Sequence, residues 1–102
     1  LLCPTNATTG LEAGNSYVDE PLMIGGTTMP HHVMGMMTVP FNVFSRCPVL
    51  AVPSGRATNG VPTGVQVVGR TYEDASTFQV GAAIEAAGFG FGSTDWRPQF
   101  TP

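Results

Sequence analysis

The chain has 102 residues, of which 42% are hydrophobic and 11% charged, and its formal net charge is −3. This composition is typical of one small folded domain and excludes a disordered, highly charged chain. It also excludes a nucleic-acid interface, because lysine is absent and the few arginines are scattered along the sequence.

The apolar runs are much shorter than the roughly 18 residues that cross a bilayer, so no membrane segment is predicted. Cys3 and Cys47 lie far apart in apolar surroundings, which predicts free thiols and a cytoplasmic protein. The alternative is secretion, which a disulfide between them and the sequon at Asn6 would favour. The chain begins without methionine or a signal peptide, and we expect it to be part of a longer polypeptide.

The first predicted elements are a strand, a long loop and a short helix. Residues 1–5 form an apolar run closed by proline, which indicates the end of a buried strand. Glycines and prolines interrupt residues 9–38, so little regular structure is expected there, and loops of this length often bind ligands. Residues 38–47 predict a short helix, because Pro40 suits a first helical turn behind Thr38 or Val39.

Two strands and a longer helix follow. Val49–Pro53 and Thr63–Val68 are apolar runs separated by a turn around Asn59, which predicts neighbouring strands covered on both faces. Thr71, with an acidic residue three positions later, predicts the start of the helix, and Gly88 predicts its end. The predicted sheet-facing side of this helix is Val80, Ala83, Ile84 and Ala87, widened by Phe78 and Ala82.

Between Phe41 and Arg70 the order of prolines and glycines forms a pattern. An asparagine segment and a proline precede an apolar strand that ends in Pro-x-Gly, and a glycine-rich connection leads to Pro-x-Gly-x-Gln-x-x-Gly. This pattern resembles the C-terminal part of the amidase signature family, and residues 1–5 resemble the strand ending in Pro-Thr that precedes it there. The matching positions are Asn42, Pro48, Pro53, Gly55, Gly60, Pro62, Gly64, Gln66 and Gly69, followed by Glu73 and Glu85.

The resemblance implies an α/β fold in which a mixed sheet is flanked by helices. Residues 1–102 would then be the C-terminal part of a single domain whose catalytic N-terminal part is absent from this chain. It also implies amide hydrolysis by a serine nucleophile, a second serine and a lysine, with no cofactor. This chain has no lysine, arginine stays protonated, and Ser45 and Ser54 lack the family's glycine-serine-rich loop, so no catalytic residue is expected here.

The family's long loops approach the substrate, and by resemblance Gly35, Met36 and Thr38 are expected to line the pocket. The expected partners are a small-molecule amide and the missing N-terminal part, and the resemblance allows a homodimer of the complete enzyme. A glutamine-dependent branch of the family, which acts on misacylated tRNA, is the alternative. That branch typically carries an aspartate at the position of Gly35, where it helps to hold the amino group of glutamine, so glycine favours an ordinary amidase with a less polar substrate.

Three further readings of these residues stay open. The chain is otherwise a stand-alone interaction module without chemistry. Cys47 with His31 or His32 would form a thiol nucleophile and base, whereas the histidine pair lacks a third ligand and predicts no metal site. A cluster of methionines either fills a core or forms a pliable apolar pocket wall, and its members are Met29, Met34, Met36 and Met37.

Overall fold

A computed structural model describes residues 1–89. The elements in chain order are β1 (Leu2–Pro4), β2 (Leu22–Ile24), β3 (Thr27–Met29), a 3-10 turn (His32–Gly35), α1 (Val39–Val43), β4 (Val49–Arg56), β5 (Pro62–Val68), α2 (Asp74–Ile84) and a π-type turn (Glu85–Phe89). The predicted first strand is confirmed. The predicted short helix is confirmed as α1, although it ends at Val43 because Phe44 leaves the helical conformation.

A three-stranded antiparallel sheet in the order β1-β5-β4 forms the centre of the fold. β4 and β5 pair from Val49 opposite Val68, and a bulge between Pro53 and Gly55 shifts the register near the far end. The side chain of Asn59 accepts a hydrogen bond from the Val61 N–H at 3.2 Å and closes the connection. The two predicted neighbouring strands and their turn are therefore confirmed.

Helix α2 packs on this sheet, which confirms the α/β class, and every strand pairing within residues 1–89 is antiparallel. The predicted sheet-facing side of α2 is wrong. Thr77 and Gly81 are the buried residues, whereas Val80 is 41% exposed and Phe78 63% exposed. Small residues face the sheet because the helix lies so close that a Cβ at Gly81 would overlap the side chain of Leu50.

The predicted ends of α2 meet different outcomes. Glu73, not Thr71, occupies the N-cap, and no side chain caps the helix there. Instead, Ser76 and Thr77 donate hydroxyl hydrogen bonds back to the Glu73 carbonyl oxygen at 2.9 and 3.2 Å. Gly88 has a φ of 99°, the left-handed conformation predicted for the residue that ends the helix.

The expectation of little regular structure in residues 9–38 is wrong for its second half. β2 and β3 form an antiparallel hairpin in which Ile24 pairs with Thr27. The two residues between them, Gly25 and Gly26, have φ values of 56° and 80°, as the tight turn of a two-residue hairpin requires. The strands are only three residues long, too short for the alternation of polar and apolar residues to show in the sequence.

Little apolar surface is buried within the described residues. Leu22 and Val67 are buried hydrophobic side chains, with 7% and 4% exposure, and Gln66 and Thr77 are buried polar ones. The expectation that both strands are covered on both faces is wrong in this chain, because Val49 is 41% exposed on β4. The Cα radius of gyration is 15.7 Å, against about 13 Å for a compact domain of 100 residues. No helix among residues 1–89 is long and apolar enough to cross a membrane.

Candidate functional site

Residues 35–38, which we call the Met36 segment, run beside the end of β1. The Ala7 N–H donates to the Gly35 carbonyl oxygen at 2.8 Å, and the Met37 N–H donates to the Thr5 carbonyl oxygen at 3.0 Å. Between these bonds, Asn6 and Met36 form an isolated antiparallel β-bridge. The segment that contains the predicted substrate-binding residues is therefore attached to the central sheet through its backbone.

A side chain from the middle of β5 adds a second attachment. Gln66 is completely buried, and its Nε2 donates to the Met37 carbonyl oxygen at 2.8 Å and to the Pro4 carbonyl oxygen at 2.9 Å. One amide thus bridges β1 and the Met36 segment. Sequence reasoning counted Gln66 among the family positions but gave it no task; a polar residue between Val65 and Val67 in an apolar strand is the signal that marked it.

Gly35 ends the 3-10 turn and is buried beneath the β2-β3 hairpin. A Cβ placed on it would lie 3.2 Å from Leu22 Cδ2 and 3.6 Å from Ile24 Cδ1. The first of these distances is shorter than ordinary van der Waals contact. The hairpin therefore leaves no room for a larger side chain at position 35.

Met36 and its neighbours present apolar side chains to the surface. The exposed fractions are 46% for Met36, 36% for Met37, 56% for Met34 and 39% for Val33. Thr38 is half-buried, stands at the N-cap of α1 and makes no side-chain capping bond. These three methionines do not fill the core of this chain, so the second reading, a pliable apolar surface, fits their placement.

The other chemically capable side chains are arranged differently from a nucleophile and its base. The Ser54 hydroxyl donates to the Thr63 hydroxyl at 3.1 Å, and a threonine hydroxyl is no base. Cys47 Sγ lies 3.9 Å from Thr71 Oγ1. His31 accepts a hydrogen bond from the Val33 N–H on Nδ1 and stacks on the His32 ring.

The contacts within residues 1–89 thus give no support to a pair of Cys47 with either histidine. Over the same residues, no group of three or more His, Cys, Asp or Glu side chains is placed to hold a metal ion. The chemistry expected of the site, if it has one, falls to the Met36 segment and to groups that this chain does not supply.

The sequence was compared with known proteins. It is 33% identical over 102 residues to the A subunit of glutamyl-tRNA(Gln) amidotransferase from Rippkaea orientalis, which is 100% of this chain and 18% of that relative. The same subunit from Thermosynechococcus vestitus is 34% identical over 99 residues, or 97% of this chain and 17% of the relative. That of Brevibacillus brevis is 32% identical over 97 residues, or 94% of this chain and 18% of the relative.

No family model matches the chain, and no solved structure matches it significantly. The chain spans less than one fifth of the length of these curated relatives, yet it aligns with them along nearly all of its own length. The alignment agrees with the proline and glycine pattern of residues 41–70. This chain therefore belongs to the amidase signature family.

Proposed function

We propose that this chain is the C-terminal part of a cytoplasmic amidase in which Gly35, Met36 and Thr38 form one wall of the substrate pocket. The observation that carries the proposal is the Met36 segment itself, whose backbone is anchored to the central sheet while its methionine side chains stay exposed. An anchored, apolar surface of adaptable side chains is suited to contact the acyl part of an amide.

The catalytic groups of this enzyme are a serine nucleophile, a second serine and a lysine, all supplied by the part of the polypeptide that is absent from this chain. The base must be an amine that loses its proton near neutral pH, which lysine does and arginine does not. The chain contains no lysine. Its exposed apolar side chains, such as Leu1 at 75% and Phe78 at 63%, offer surfaces for the remaining part to cover.

The buried glycine at position 35 favours an uncharged, weakly polar amide as substrate. By the family resemblance, a carboxylate at this position would hold the charged amino group of glutamine. Leu22 Cδ2 occupies the space that the first carbon of such a side chain needs. A substrate with an ammonium group would therefore lack its partner at this wall of the pocket.

A second candidate is the corresponding part of the family member within a glutamine-dependent tRNA amidotransferase. The names of the relatives favour it, since those described above are all amidotransferase subunits. Under this candidate the substrate is glutamine and the partners include other subunits. The two candidates differ in whether the complete enzyme prefers glutamine or a simple aliphatic or aromatic amide.

A third candidate is an interaction module that folds alone and carries no chemistry. The exposed apolar side chains disfavour it, because isolated domains rarely leave such surfaces open. Gel filtration separates this candidate from the first two. A well-behaved monomer supports the module, and aggregation or a tightly associated second polypeptide supports a part of a larger enzyme.

The proposed function is tested by incubating the purified chain with a panel of aliphatic and aromatic amides and glutamine, with and without the N-terminal part. We expect no hydrolysis by the chain alone, and hydrolysis of simple amides in preference to glutamine when both parts are present. Preference for glutamine would support the second candidate. Turnover by the chain alone, abolished by Cys47→Ala or His31→Ala, would overturn the proposal in favour of thiol chemistry.

A further inference from the structure

The buried amide of Gln66 is unusual for a residue that serves stability alone. It is completely buried in the middle of β5, and within the described residues its Oε1 has no hydrogen-bond partner. A buried polar atom without a partner costs about 1–3 kcal/mol. Packing alone would favour an apolar side chain at this position, like those of Val65 and Val67 on either side.

The two donors of Gln66 are used for one connection. Nε2 donates to the Pro4 carbonyl oxygen and to the Met37 carbonyl oxygen, so it joins residues that are 33 positions apart in the chain, a separation obtained from the difference between 62 and 29. The Met37 N–H is already fixed by the Thr5 carbonyl oxygen. Both polar groups of the Met37 backbone are therefore held, one by β1 and the other by the interior of the sheet.

Fixing the Met37 carbonyl also fixes the next residue. The peptide bond between Met37 and Thr38 is trans, as are all others in the described chain, and a trans peptide directs its C=O and N–H to opposite sides. With the Met37 carbonyl turned toward Gln66, the Thr38 N–H is turned away from it. The orientation of the Thr38 backbone thus depends on the Gln66 amide.

We propose that Gln66 is a positioning residue that sets the placement of Met36 and Thr38 in the substrate pocket. The inference rests on the proposed function, because it takes the Met36 segment as a wall of that pocket. Gln66 does not touch the substrate, since it is completely buried. It acts through the Met37 carbonyl, which lies between the two wall residues.

The test compares Gln66→Met with the unchanged complete enzyme. Methionine has a similar size and flexibility but no N–H donor, so the link to Met37 is lost. We expect hydrogen exchange in residues 35–38 to become about tenfold faster. We also expect the ratio of kcat/KM for a large and a small amide to change about fivefold, mainly through KM.

Two control variants separate positioning from general destabilisation. Gln79→Met replaces an exposed glutamine of α2, and Thr77→Val removes a buried hydroxyl of α2 that bonds to Glu73. Neither is expected to change the ratio between substrates, although Thr77→Val lowers stability. If Gln66→Met does not fold, Gln66→Asn replaces it, because its amide is one methylene too short to reach both carbonyl oxygens.

The outcomes distinguish the two proposals. Unchanged exchange in residues 35–38 would overturn the positioning role and leave the pocket wall untouched. Faster exchange with an unchanged substrate ratio would overturn the pocket wall itself, and with it the functional role of Gln66. Faster exchange together with a changed ratio supports both.

Discussion

The sheet-helix unit, formed by β4, β5 and α2, and the Met36 segment are held by different interactions. In the unit, a continuous antiparallel ladder joins the strands, and α2 lies so close to them that glycines are required at the contacts. The Met36 segment is held by backbone bonds at Gly35 and Met37 and by one buried side chain, Gln66. Its methionines are exposed, whereas the contact face of α2 is buried.

This difference separates two tasks within one short chain. A change in the sheet-helix unit meets backbone and tightly packed atoms, and it should therefore reduce stability. A change at the exposed methionines meets open space and leaves the ladder intact. Selectivity can then vary in the segment while the scaffold stays the same, as is common for loops on a rigid core.

The largest effect is expected for Gly69→Ala, which tests the rigidity of the sheet-helix unit. The new Cβ would overlap Thr77 Oγ1 and lie 3.0 Å from Pro48 Cγ. We expect a loss of about 3 kcal/mol in the free energy of unfolding, because the helix must move away from the sheet. Urea denaturation of the protein measures this loss.

Gly64→Ala is the matched control for this prediction. It lies on the same strand, but its Cβ would meet Thr5 Oγ1 and the Val52 carbonyl oxygen at 3.4 Å, an ordinary contact. We expect less than about 1 kcal/mol for this variant. Equal losses for the two variants would mean that the close approach of α2 does not determine the stability of the unit.

An intermediate effect is expected for Gly35→Asp, which tests the one tightly packed point of the Met36 segment. The new Cβ would lie 3.2 Å from Leu22 Cδ2, so we expect a loss of about 2 kcal/mol in unfolding free energy. Leu22→Val removes the opposing Cδ2 atom. A double-mutant cycle should therefore show a smaller loss from Gly35→Asp in the Leu22→Val background.

The same variant also bears on the choice between the two candidate functions. We expect no gain in glutamine turnover from Gly35→Asp, because the hairpin displaces the new carboxylate. An identical loss of stability in both backgrounds would contradict the packing argument. A gain in glutamine turnover without loss of stability would favour the amidotransferase candidate.

The strands and helix of the sheet-helix unit could be predicted from the sequence because their signals are local. Val49–Pro53 and Thr63–Val68 are apolar runs with a turn between them, and Gly88 has the left-handed conformation predicted for it. The face of α2 could not be predicted. Periodicity identifies the most apolar stripe, whereas the observed contact is set by how closely Gly81 lets the helix approach.

The site was less predictable than the fold because its contacts are long-range. The hydrogen bonds of Gln66 span 62 and 29 positions in the chain, and nothing local in the sequence indicates them. The packing of Leu22 on Gly35 likewise depends on a hairpin with three-residue strands. The resemblance identified the segment, and the structure supplied its anchoring.

The smallest expected effect belongs to Met36→Ala, and it sharpens the comparison from the side of the Met36 segment. Met36 is 46% exposed, so its truncation should change the unfolding free energy by less than about 0.5 kcal/mol. Met23→Ala is the control, because Met23 is 56% exposed on the hairpin. It should change neither stability nor selectivity by more than that.

The central claim is that the Met36 segment chooses the substrate without taking part in bond breaking. It is tested most directly by kcat/KM for a short-chain and a bulky amide in the complete enzyme, with and without Met36→Ala. We expect the ratio of the two values to change up to about tenfold, or about 1.4 kcal/mol, in favour of the bulky amide. An equal loss on both substrates would contradict the claim, because it would show that Met36 supports the reaction itself and not the choice of amide.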